Sequence, residues 1–444
     1  MKIYNTYTDS IEEFIPTHAN KVNMYVCGPT VYNYIHIGNA RPVVFFDTVR
    51  RYLESKNYEV KFASNFTDVD DKIIQKASEE NLPELEISGF YIEAFLNDLE
   101  SLNCKTDYIK PKVTKYMSHI IEYIQNLIDK GYAYLVDGDV YFRVTKVKDY
   151  GILSNRNTDD LISGSRVDVN ALKENPLDFT LWKKTKDGLN FDSQFSAGRP
   201  GWHTECVAMI DDIFGEEIDI HGGGTDLKFP HHENEIAQAK AIHNHGVAKY
   251  WMHNGRLNMK DTKMSKSLGN VVFVKDFPHK MPLRFFLLST HYRTPLNYSE
   301  EVFNMYLKEW EKLENTLKSV FFKLDINNAL EENIEITDEI VLSEIRDFNQ
   351  AMDYDFNTAN AITALQSTLR IANINIRKTN NEKFLNQIYQ AVNYMTSILG
   401  LKVDLVKISD ENRQTYQDWQ LSRKNKNFKE ADRLRKILSE KGVL

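Results

Sequence analysis

Cysteine is scarce in this chain of 444 residues, and long apolar runs are lacking. Only three cysteines are present, Cys27, Cys104 and Cys206, and they lie far apart in the sequence. So few and so scattered cysteines argue against a disulfide framework and favour a reducing compartment. No apolar run reaches the ~18 residues that span a bilayer, and residues 1–6 lack the apolar stretch of a signal peptide. We therefore expect a cytoplasmic protein with no membrane partner.

An excess of positive charge is also lacking. The chain has 55 Lys and Arg residues against 63 Asp and Glu residues, and its formal net charge is −8. This balance argues against a general nucleic-acid coat protein, although it leaves room for local basic patches. The length exceeds the roughly 250 to 300 residues at which a single core stops growing, so several domains are expected.

Alternating strand and helix patterns predict the fold of the first part. Residues 24–27 are β-prone and end at Gly28, a helix-like pattern covers 40–56 with Pro42 in its first turn, and a second strand pattern covers 60–63. Strand, helix and strand at this spacing form a βαβ unit. Such a unit implies a parallel sheet with ligands at the carboxyl ends of its strands.

Residues 111–200 interrupt this alternation, which then resumes. The interruption contains a helix pattern at 116–130 and two short strand patterns at 132–136 and 139–144. The later elements are a helix at 205–214, a strand at 218–221, a glycine loop at 222–224 and a helix at 232–244. Beyond residue 297 amphipathic helix patterns continue to about residue 399, and a locally basic tail follows.

These patterns predict an α/β fold: a Rossmann-like catalytic domain with a parallel sheet, split by an insertion and followed by a C-terminal helical region. The predicted boundaries are 1–110 and 201–250 for the two halves of the catalytic domain, 111–200 for the insertion or connective domain, 251–300 for a lysine loop and linker, 301–399 for the helical domain and 400–444 for the basic C-terminal element.

Two short motifs could bind a polyphosphate. Residues 263–267 read Lys-Met-Ser-Lys-Ser, in which Lys263 and Lys266 supply point charges and the serines supply hydroxyl donors. His36, Gly38 and Asn39 lie where the first predicted strand has ended and a helix begins, a position that favours phosphate. Taken singly, the first motif is more typical of a solvated turn. In the second, His36 could have a purely structural capping role and Gly38 only turn the chain.

A third constellation could bind a metal ion. Cys27 ends the first predicted strand, Cys206 lies in a predicted helix, and His231 and Glu235 are four residues apart, so that both can point the same way. Spacing alone leaves an alternative open, because the cysteines could be buried small hydrophobes and the other two an ordinary helical pair.

Several strings together resemble those of a known family. The motif at 263–267 and the motif at 36–39 are similar to the two signatures of class I aminoacyl-tRNA synthetases. The wider combination resembles the cysteinyl-tRNA synthetase family over nearly the whole chain. The matching strings lie at 25–32, 36–41, 65–72, 198–203 with 205–206, 229–235, 291–293 and 295–297.

The resemblance implies a function and a set of site residues. It implies ATP-dependent activation of L-cysteine and transfer to tRNA(Cys), with Mg²⁺ accompanying ATP and one Zn²⁺ per chain. Catalytic roles fall to His36, Lys263 and Lys266, and ATP binding to Gly38, Asn39, Gly222, Gly223, Gly224 and Lys266. Cysteine contacts are expected from Thr67, Trp202 and Asp226, and zinc ligands from Cys27, Cys206, His231 and Glu235. We expect a monomer that reads the anticodon with residues 400–444.

The sequence departs from the family pattern at two places. Asn39 stands where the class signature usually ends in a second histidine, and asparagine can form hydrogen bonds but cannot become cationic. Residues 190–197 lack the tryptophans typical of the family. Three alternatives remain open: a ligase that joins activated cysteine to an amino sugar, a non-catalytic RNA-binding relative and a structural zinc protein.

Overall fold

The computed structural model describes residues 1–156, 172–259, 271–331, 334–378 and 381–441, and the backbone alone of residues 262 and 263. The chain divides into two compact units. The first unit comprises Met1–Phe303, Ala351–Ala359 and Ile398–Gly400, and the second comprises Asn304–Gln350, Asn360–Ser397 and Leu401–Leu444. Among the helices described, none is long and apolar enough to cross a membrane.

The first unit mixes strands and helices. In chain order its elements are β1 (Lys2–Asn5), β2 (Ser10–Glu13), β3 (Lys21–Val26), α1 (Ile37–Ser55), β4 (Glu59–Ala63), α2 (Asp71–Glu80), α3 (Glu84–Ser101), α4 (Met117–Asp129), β5 (Ala133–Val136), β6 (Asp139–Phe142), β7 (Phe179–Lys184), β8 (Gly198–Pro200), α5 (Trp202–Phe214), β9 (Ile218–Gly224), α6 (Glu233–His243), β10 (Ala248–Asn254), β11 (Leu257–Met259), β12 (Thr262–Lys263), α7 (Lys280–Leu288) and β13 (Leu296–Tyr298).

A parallel sheet organises the candidate site. Its strand order is β10-β9-β3-β4, and each neighbouring pair is parallel. The carboxyl ends of these strands therefore lie along one edge, which is where parallel sheets bind ligands. The predicted α/β fold with a parallel sheet is confirmed.

The predicted insertion contains a second sheet. Strands β5, β6, β7 and β8 form an antiparallel sheet in that order. Its neighbour α4 packs against α5 and α6, and Ile120, Ile124 and Leu127 share one core with Met209 and Ile236. Fully burying side chains of this size contributes roughly 1.5–3 kcal/mol each. The core thus continues from the insertion to the helices that carry metal-ligand candidates.

Three local predictions were wrong. Gly222, Gly223 and Gly224 were predicted to form a loop, but they are the last residues of β9 and pair with residues of β10. Pairing with a neighbouring strand outweighs the low strand propensity of glycine. Helix α1 was predicted to begin at residue 40, but it begins at Ile37, so Pro42 lies in its second turn. Strand β3 was also not the first, because the hairpin of β1 and β2 precedes it.

The second unit is helical, as the amphipathic patterns predicted. Its helices are α8 (Glu300–Ile326), α9 (Glu339–Asp353), α10 (Thr358–Asn375), α11 (Glu382–Leu399), α12 (Asp410–Lys424) and α13 (Phe428–Glu440), of which α8, α9, α10 and α11 have one end in the first unit. The last two helices pack against each other and carry most of the basic side chains of the tail. The predicted domain boundaries within each unit stay a prediction.

Candidate active site and metal centre

Four predicted metal ligands converge at the carboxyl edge of the parallel sheet. Cys27 follows β3, Cys206 lies in α5, His231 belongs to the irregular turn Lys228–His232, and Glu235 lies in the first turn of α6. One ligand atom from each lies within 4.8 Å of all the others. The sulfurs of Cys27 and Cys206 are 3.7 Å apart, and Nε2 of His231 is 2.8 Å from Oε1 of Glu235. Residues nearly 210 positions apart in sequence thus form one cluster.

The chemistry of this cluster fits a metal ion. Two thiols, an imidazole and a carboxylate are buried or half-buried together. Burying several ionisable groups side by side costs free energy unless each of them is paired. Nε2 of His231 is fully buried, and it has no hydrogen-bond partner of good geometry although Glu235 is close. A metal ion would satisfy that nitrogen and both sulfurs at once. A second set, Cys27, His221, His232 and Glu235, is equally close and shares two of the same residues.

Neighbouring groups shift the pKa values in the cluster. The hydrogen bond that Cys27 donates lowers the pKa of Cys206 to about 6, whereas burial raises the pKa of Cys27 well above its usual value. Burial acts to lower the pKa of His231, but Glu235 and Cys206 together outweigh it and raise that pKa to about 10. Metal ligands must be deprotonated, so a metal ion would bind here with release of protons.

Sequence reasoning missed the histidines that surround the cluster. His221 bridges Oε2 of Glu235 at 2.7 Å and the backbone oxygen of Tyr25 at 3.0 Å. His203 contacts His231 through the two Nδ1 atoms at 3.1 Å, and burial lowers the pKa of His203 to about 3. Such contacts orient metal ligands. The only signal in the sequence was the concentration of histidines, His203, His221, His231, His232 and His253, within about fifty residues.

The motif at 36–39 begins helix α1. His36 is the N-cap residue, and its Nδ1 accepts a hydrogen bond from the backbone N–H of Asn39 at 3.2 Å. This is the capping role that was open in the sequence. Gly38 lets the imidazole fold back, since a Cβ there would lie 2.9 Å from Nδ1 of His36. The exposed Asn39 and the helix N-terminus face a region suited to an anion.

A cavity of about 550 Å³ joins this helix start to the metal cluster. Of the residues predicted to bind substrates, the cavity is lined by His36, Gly38, Asn39, Trp202, Gly223, Gly224 and Asp226, together with Cys27 of the metal cluster. The ring of Trp202 stacks on His231 with 4.4 Å between centroids. The structure therefore brings most of the predicted substrate residues around one cavity.

Two residues that were predicted to bind substrates, Thr67 and Gly222, do not line this cavity. Thr67 is buried, and its hydroxyl donates a hydrogen bond to Oε2 of Glu205 at 2.8 Å. Gly222 lies in the sheet, where a Cβ would be 2.0 Å from the ring of Phe46. Gly222 thus allows the ring of Phe46 in α1 to pack closely on strand β9.

The chain on both sides of the lysine motif is held at the start of α1. The buried guanidinium of Arg41 donates hydrogen bonds to the backbone oxygen of Gly255 at 2.7 Å and of His291 at 3.2 Å. On the other side, the N–H of Ile37 donates to the oxygen of Val272 at 3.0 Å. Lys266 and the side chain of Lys263 lie outside the described residues, so their roles stay a prediction.

Gly38→Ala tests whether the ring position of His36 matters for ATP. The new Cβ displaces the ring, so we expect the KM for ATP to rise about tenfold, the loss of roughly one hydrogen bond to a charged group. Stability should change little, because a lost cap costs about 1 kcal/mol and alanine favours a helix over glycine by about as much. Exchange kinetics and thermal melting measure the two effects.

The matched control is Gly89→Ala in helix α3, where a Cβ would have no neighbour within 4 Å. This variant should melt at a higher temperature and keep the KM for ATP of the original protein. An unchanged KM in Gly38→Ala contradicts a role for the ring in binding ATP.

Known proteins resemble this chain along its whole length. The family model "tRNA synthetases class I (C) catalytic domain" matches residues 13–308, and the "DALR domain" model matches residues 347–404. The cysteine–tRNA ligase of Geobacillus sp. (strain WCH70) is 46% identical over 456 residues, covering 100% of this chain and 97% of that protein. The cysteine–tRNA ligase of Acholeplasma laidlawii (strain PG-8A) is 44% identical over 447 residues, covering 100% of both.

Solved structures share the fold at low identity. Methionyl-tRNA synthetase of Mycobacterium tuberculosis, in complex with methionyl-adenylate, matches with a TM-score of 0.62 and 14% identity, covering 85% of this chain and 89% of that one. A leucyl synthetase of Agrobacterium radiobacter K84, in a ternary complex with tRNA, matches with a TM-score of 0.63 and 11% identity, covering 87% and 85%. The fold is that of class I synthetases, and by its full-length relatives the chain belongs to the cysteine–tRNA ligase family.

Proposed function

We propose that the protein activates L-cysteine with ATP and transfers it to tRNA(Cys). A carboxylate oxygen of cysteine attacks the α-phosphorus of ATP, pyrophosphate leaves, and a terminal ribose hydroxyl of the tRNA then displaces AMP from the adenylate. The observation that supports this most is the shared cavity, because a helix start suited to phosphate and Cys27 of the sulfur-rich cluster line the same space. Such chemistry needs positioning and charge neutralisation rather than a protein nucleophile.

Zinc is the metal that we propose for the cluster, one ion per chain. Cys27, Cys206, His231 and Glu235 would hold it, since sulfur and imidazole donors in a fourfold set suit Zn²⁺. When bound, zinc would supply a Lewis-acidic site that prefers a thiolate to a hydroxyl. Serine differs from cysteine by one atom, and an apolar pocket rejects such an analogue by only about 10²-fold. Selection by a metal therefore explains how one binding step could suffice.

The ATP site has two parts in this proposal. His36, Gly38 and Asn39 lie by the α-phosphate at the start of α1, and Gly223 and Gly224 allow close approach of adenosine, with Gly222 supporting them from the sheet. Lys263 and Lys266 neutralise the β- and γ-phosphates and the leaving pyrophosphate, and Mg²⁺ accompanies ATP. Because Asn39 is neutral and Nδ1 of His36 accepts the capping hydrogen bond, the positive charge near the phosphates comes from the lysines, and His36 contacts the α-phosphate as a neutral donor.

The remaining contacts are assigned by position. Trp202 covers the metal cluster from the cavity side, and the exposed carboxylate of Asp226 suits the ammonium group of cysteine. Thr67 acts indirectly, by holding the buried Glu205 beside Cys206. For tRNA we propose the end of α12 together with α13, which carry Arg423, Lys424, Lys429, Arg433, Arg435 and Lys436. We further propose a monomer that works in the cytoplasm, where its three free thiols stay reduced.

Amino-acid-dependent exchange between ATP and pyrophosphate tests this function. We expect exchange with cysteine, and with serine a rate lower by more than the ~10²-fold that an apolar pocket provides. Charging of tRNA(Cys) with labelled cysteine should follow in the same preparation. Absence of exchange with cysteine overturns the proposal, and equal rates with serine overturn selection by the metal. Exchange without charging would mean that another acceptor, such as an amino sugar, receives the cysteine.

A further inference from the structure

Residues 150–156 of the predicted insertion contact the turn and helix that carry His231 and Glu235. We call these residues the 150–156 segment. Four of its residues, through side chains or backbone groups, reach residues 229, 233 and 234, which flank the metal-ligand candidates or lie between them. These contacts join parts of the chain that are about 80 residues apart.

The strongest contact is made to Glu233. Its carboxylate is only 1% exposed and accepts hydrogen bonds from the N–H of Leu153 at 3.3 Å and from the N–H and the hydroxyl of Ser154 at 2.9 and 2.7 Å. A buried carboxylate is costly unless such donors surround it. Hydrogen bonds to a charged group contribute about 1.5–3 kcal/mol, more than neutral ones.

Two further contacts complete the attachment. The hydroxyl of Tyr150 donates to Oδ1 of the buried Asn234 at 2.6 Å, and the guanidinium of Arg156 lies over the ring of Phe229 at 4.5 Å. The segment forms a turn, which is closed by a hydrogen bond from the N–H of Arg156 to the backbone oxygen of Gly151 at 3.0 Å. Gly151 has φ +101°, and a Cβ there would lie 2.1 Å from the oxygen of Arg156, so only glycine fits.

We propose that the 150–156 segment is a positioning element of the metal centre. Glu233 and Asn234 are the only residues between His232 and Glu235, so holding them fixes the start of α6. His231 and Glu235 approach each other across that same turn, at 2.8 Å. Loosening the segment lets the two ligands move apart and weakens binding of zinc and, through zinc, of cysteine. The inference rests on the proposed function, in which this centre holds zinc for the substrate.

A purely structural attachment predicts something else. If the segment only joined the insertion to the rest of the unit, its loss would lower stability and affect all substrates alike. A positioning role predicts a selective effect instead, with weaker zinc binding and a higher KM for cysteine at an unchanged KM for ATP. Groups that hydrogen-bond a metal ligand directly typically contribute 10- to 100-fold to metal affinity, and the 150–156 segment contacts only the neighbours of the ligands, so its effect should lie at the lower end of that range.

The test uses the full chain with Tyr150→Phe, Ser154→Ala and the double variant. Matched controls are Tyr134→Phe and Ser193→Ala, which remove hydroxyls of the same insertion that donate to Asp178 at 2.8 Å and to the oxygen of Ser196 at 2.7 Å. Zinc affinity is measured by competition with a chromogenic chelator. The KM values for cysteine and ATP are measured by exchange, and stability by thermal melting.

We expect the double variant to bind zinc about tenfold more weakly, at the lower end of the range for outer contacts, and to show a similar rise in the KM for cysteine. The two controls should bind zinc like the original protein, and Ser154→Thr should restore most of the affinity. Unchanged zinc affinity in the double variant overturns the proposal, as does an equal rise in both KM values. If the original protein binds zinc but shows no exchange, the proposed function fails while the zinc measurement still decides the positioning role.

Discussion

Cys206→Ala is expected to abolish selective activation of cysteine. The change removes one of two sulfur donors from the metal cluster, so zinc affinity should fall by more than the ~100-fold limit of outer-contact changes. The KM for cysteine should rise with it, because the substrate thiolate would lose the ion that selects it. Zinc content after gel filtration and cysteine-dependent exchange between ATP and pyrophosphate measure both effects.

The low pKa of Cys206 makes it the better thiolate donor of the two cysteines, so its loss should not be rescued by added zinc. The thiol of Cys27 donates a hydrogen bond to the sulfur of Cys206, and this hydrogen bond lowers the pKa of Cys206 to about 6. In the folded protein Cys206 is therefore the readier of the two sulfurs to act as a thiolate at neutral pH. Removal of zinc from the original protein with a chelator should reproduce the loss of exchange, and added zinc should restore it. The same zinc concentration should fail to restore Cys206→Ala.

Cys104→Ser is the matched control, because Cys104 is the third free cysteine of the same unit. Its sulfur contacts the guanidinium of Arg284 at 3.3 Å, and a serine hydroxyl keeps an acceptor there. We expect the original zinc content and exchange rate in this control. Full zinc occupancy in Cys206→Ala, or an equal loss in Cys104→Ser, contradicts the assigned metal centre.

Local patterns predicted the fold better than they predicted the details of the sheet edge. Strand and helix periodicity is a property of neighbouring residues, and it located β3, α1, β4, α4 and α5 within a few residues. The end of β9 was missed because glycines have low strand propensity, and only pairing with β10 keeps them extended. The start of α1 was placed too late because the cap is supplied by the imidazole of His36, an uncommon capping group.

The candidate site likewise contains residues that the sequence indicated and residues that only the structure reveals. Family resemblance, rather than spacing, pointed to Cys27 and Cys206, since 178 residues separate them and no local motif joins them. The structure then places them in one cluster, and it adds histidines that no periodicity could reveal. His203 and His221 lie on α5 and β9, and their contacts depend on how a helix and a strand meet. Contacts of that kind follow from tertiary packing, which a single sequence does not encode locally.

The lysine motif leads to the second large effect, Lys266→Ala. We expect kcat for exchange to fall by about 10²- to 10³-fold, the usual cost of removing one group that stabilises charge developing in the transition state. The charge in question is that of the leaving pyrophosphate, so the KM for cysteine should change little. Exchange kinetics at saturating cysteine and ATP measure the first effect, and cysteine titrations measure the second.

The ratio of cysteine to serine activation separates this lysine from the metal centre. Selection in our proposal would take place at a zinc ion held in part by Cys27, which lines the cavity, so Lys266→Ala should slow both amino acids by the same factor. Lys275→Ala is the matched control, because Lys275 follows the same motif, is exposed and pairs with Asp276 at 2.8 Å. A surface pair of that kind contributes little, so this control should keep its exchange rate. If Lys266→Ala instead changed the ratio by tenfold or more, about 1.4 kcal/mol of selectivity would belong to the lysine motif and selection by zinc alone would be wrong.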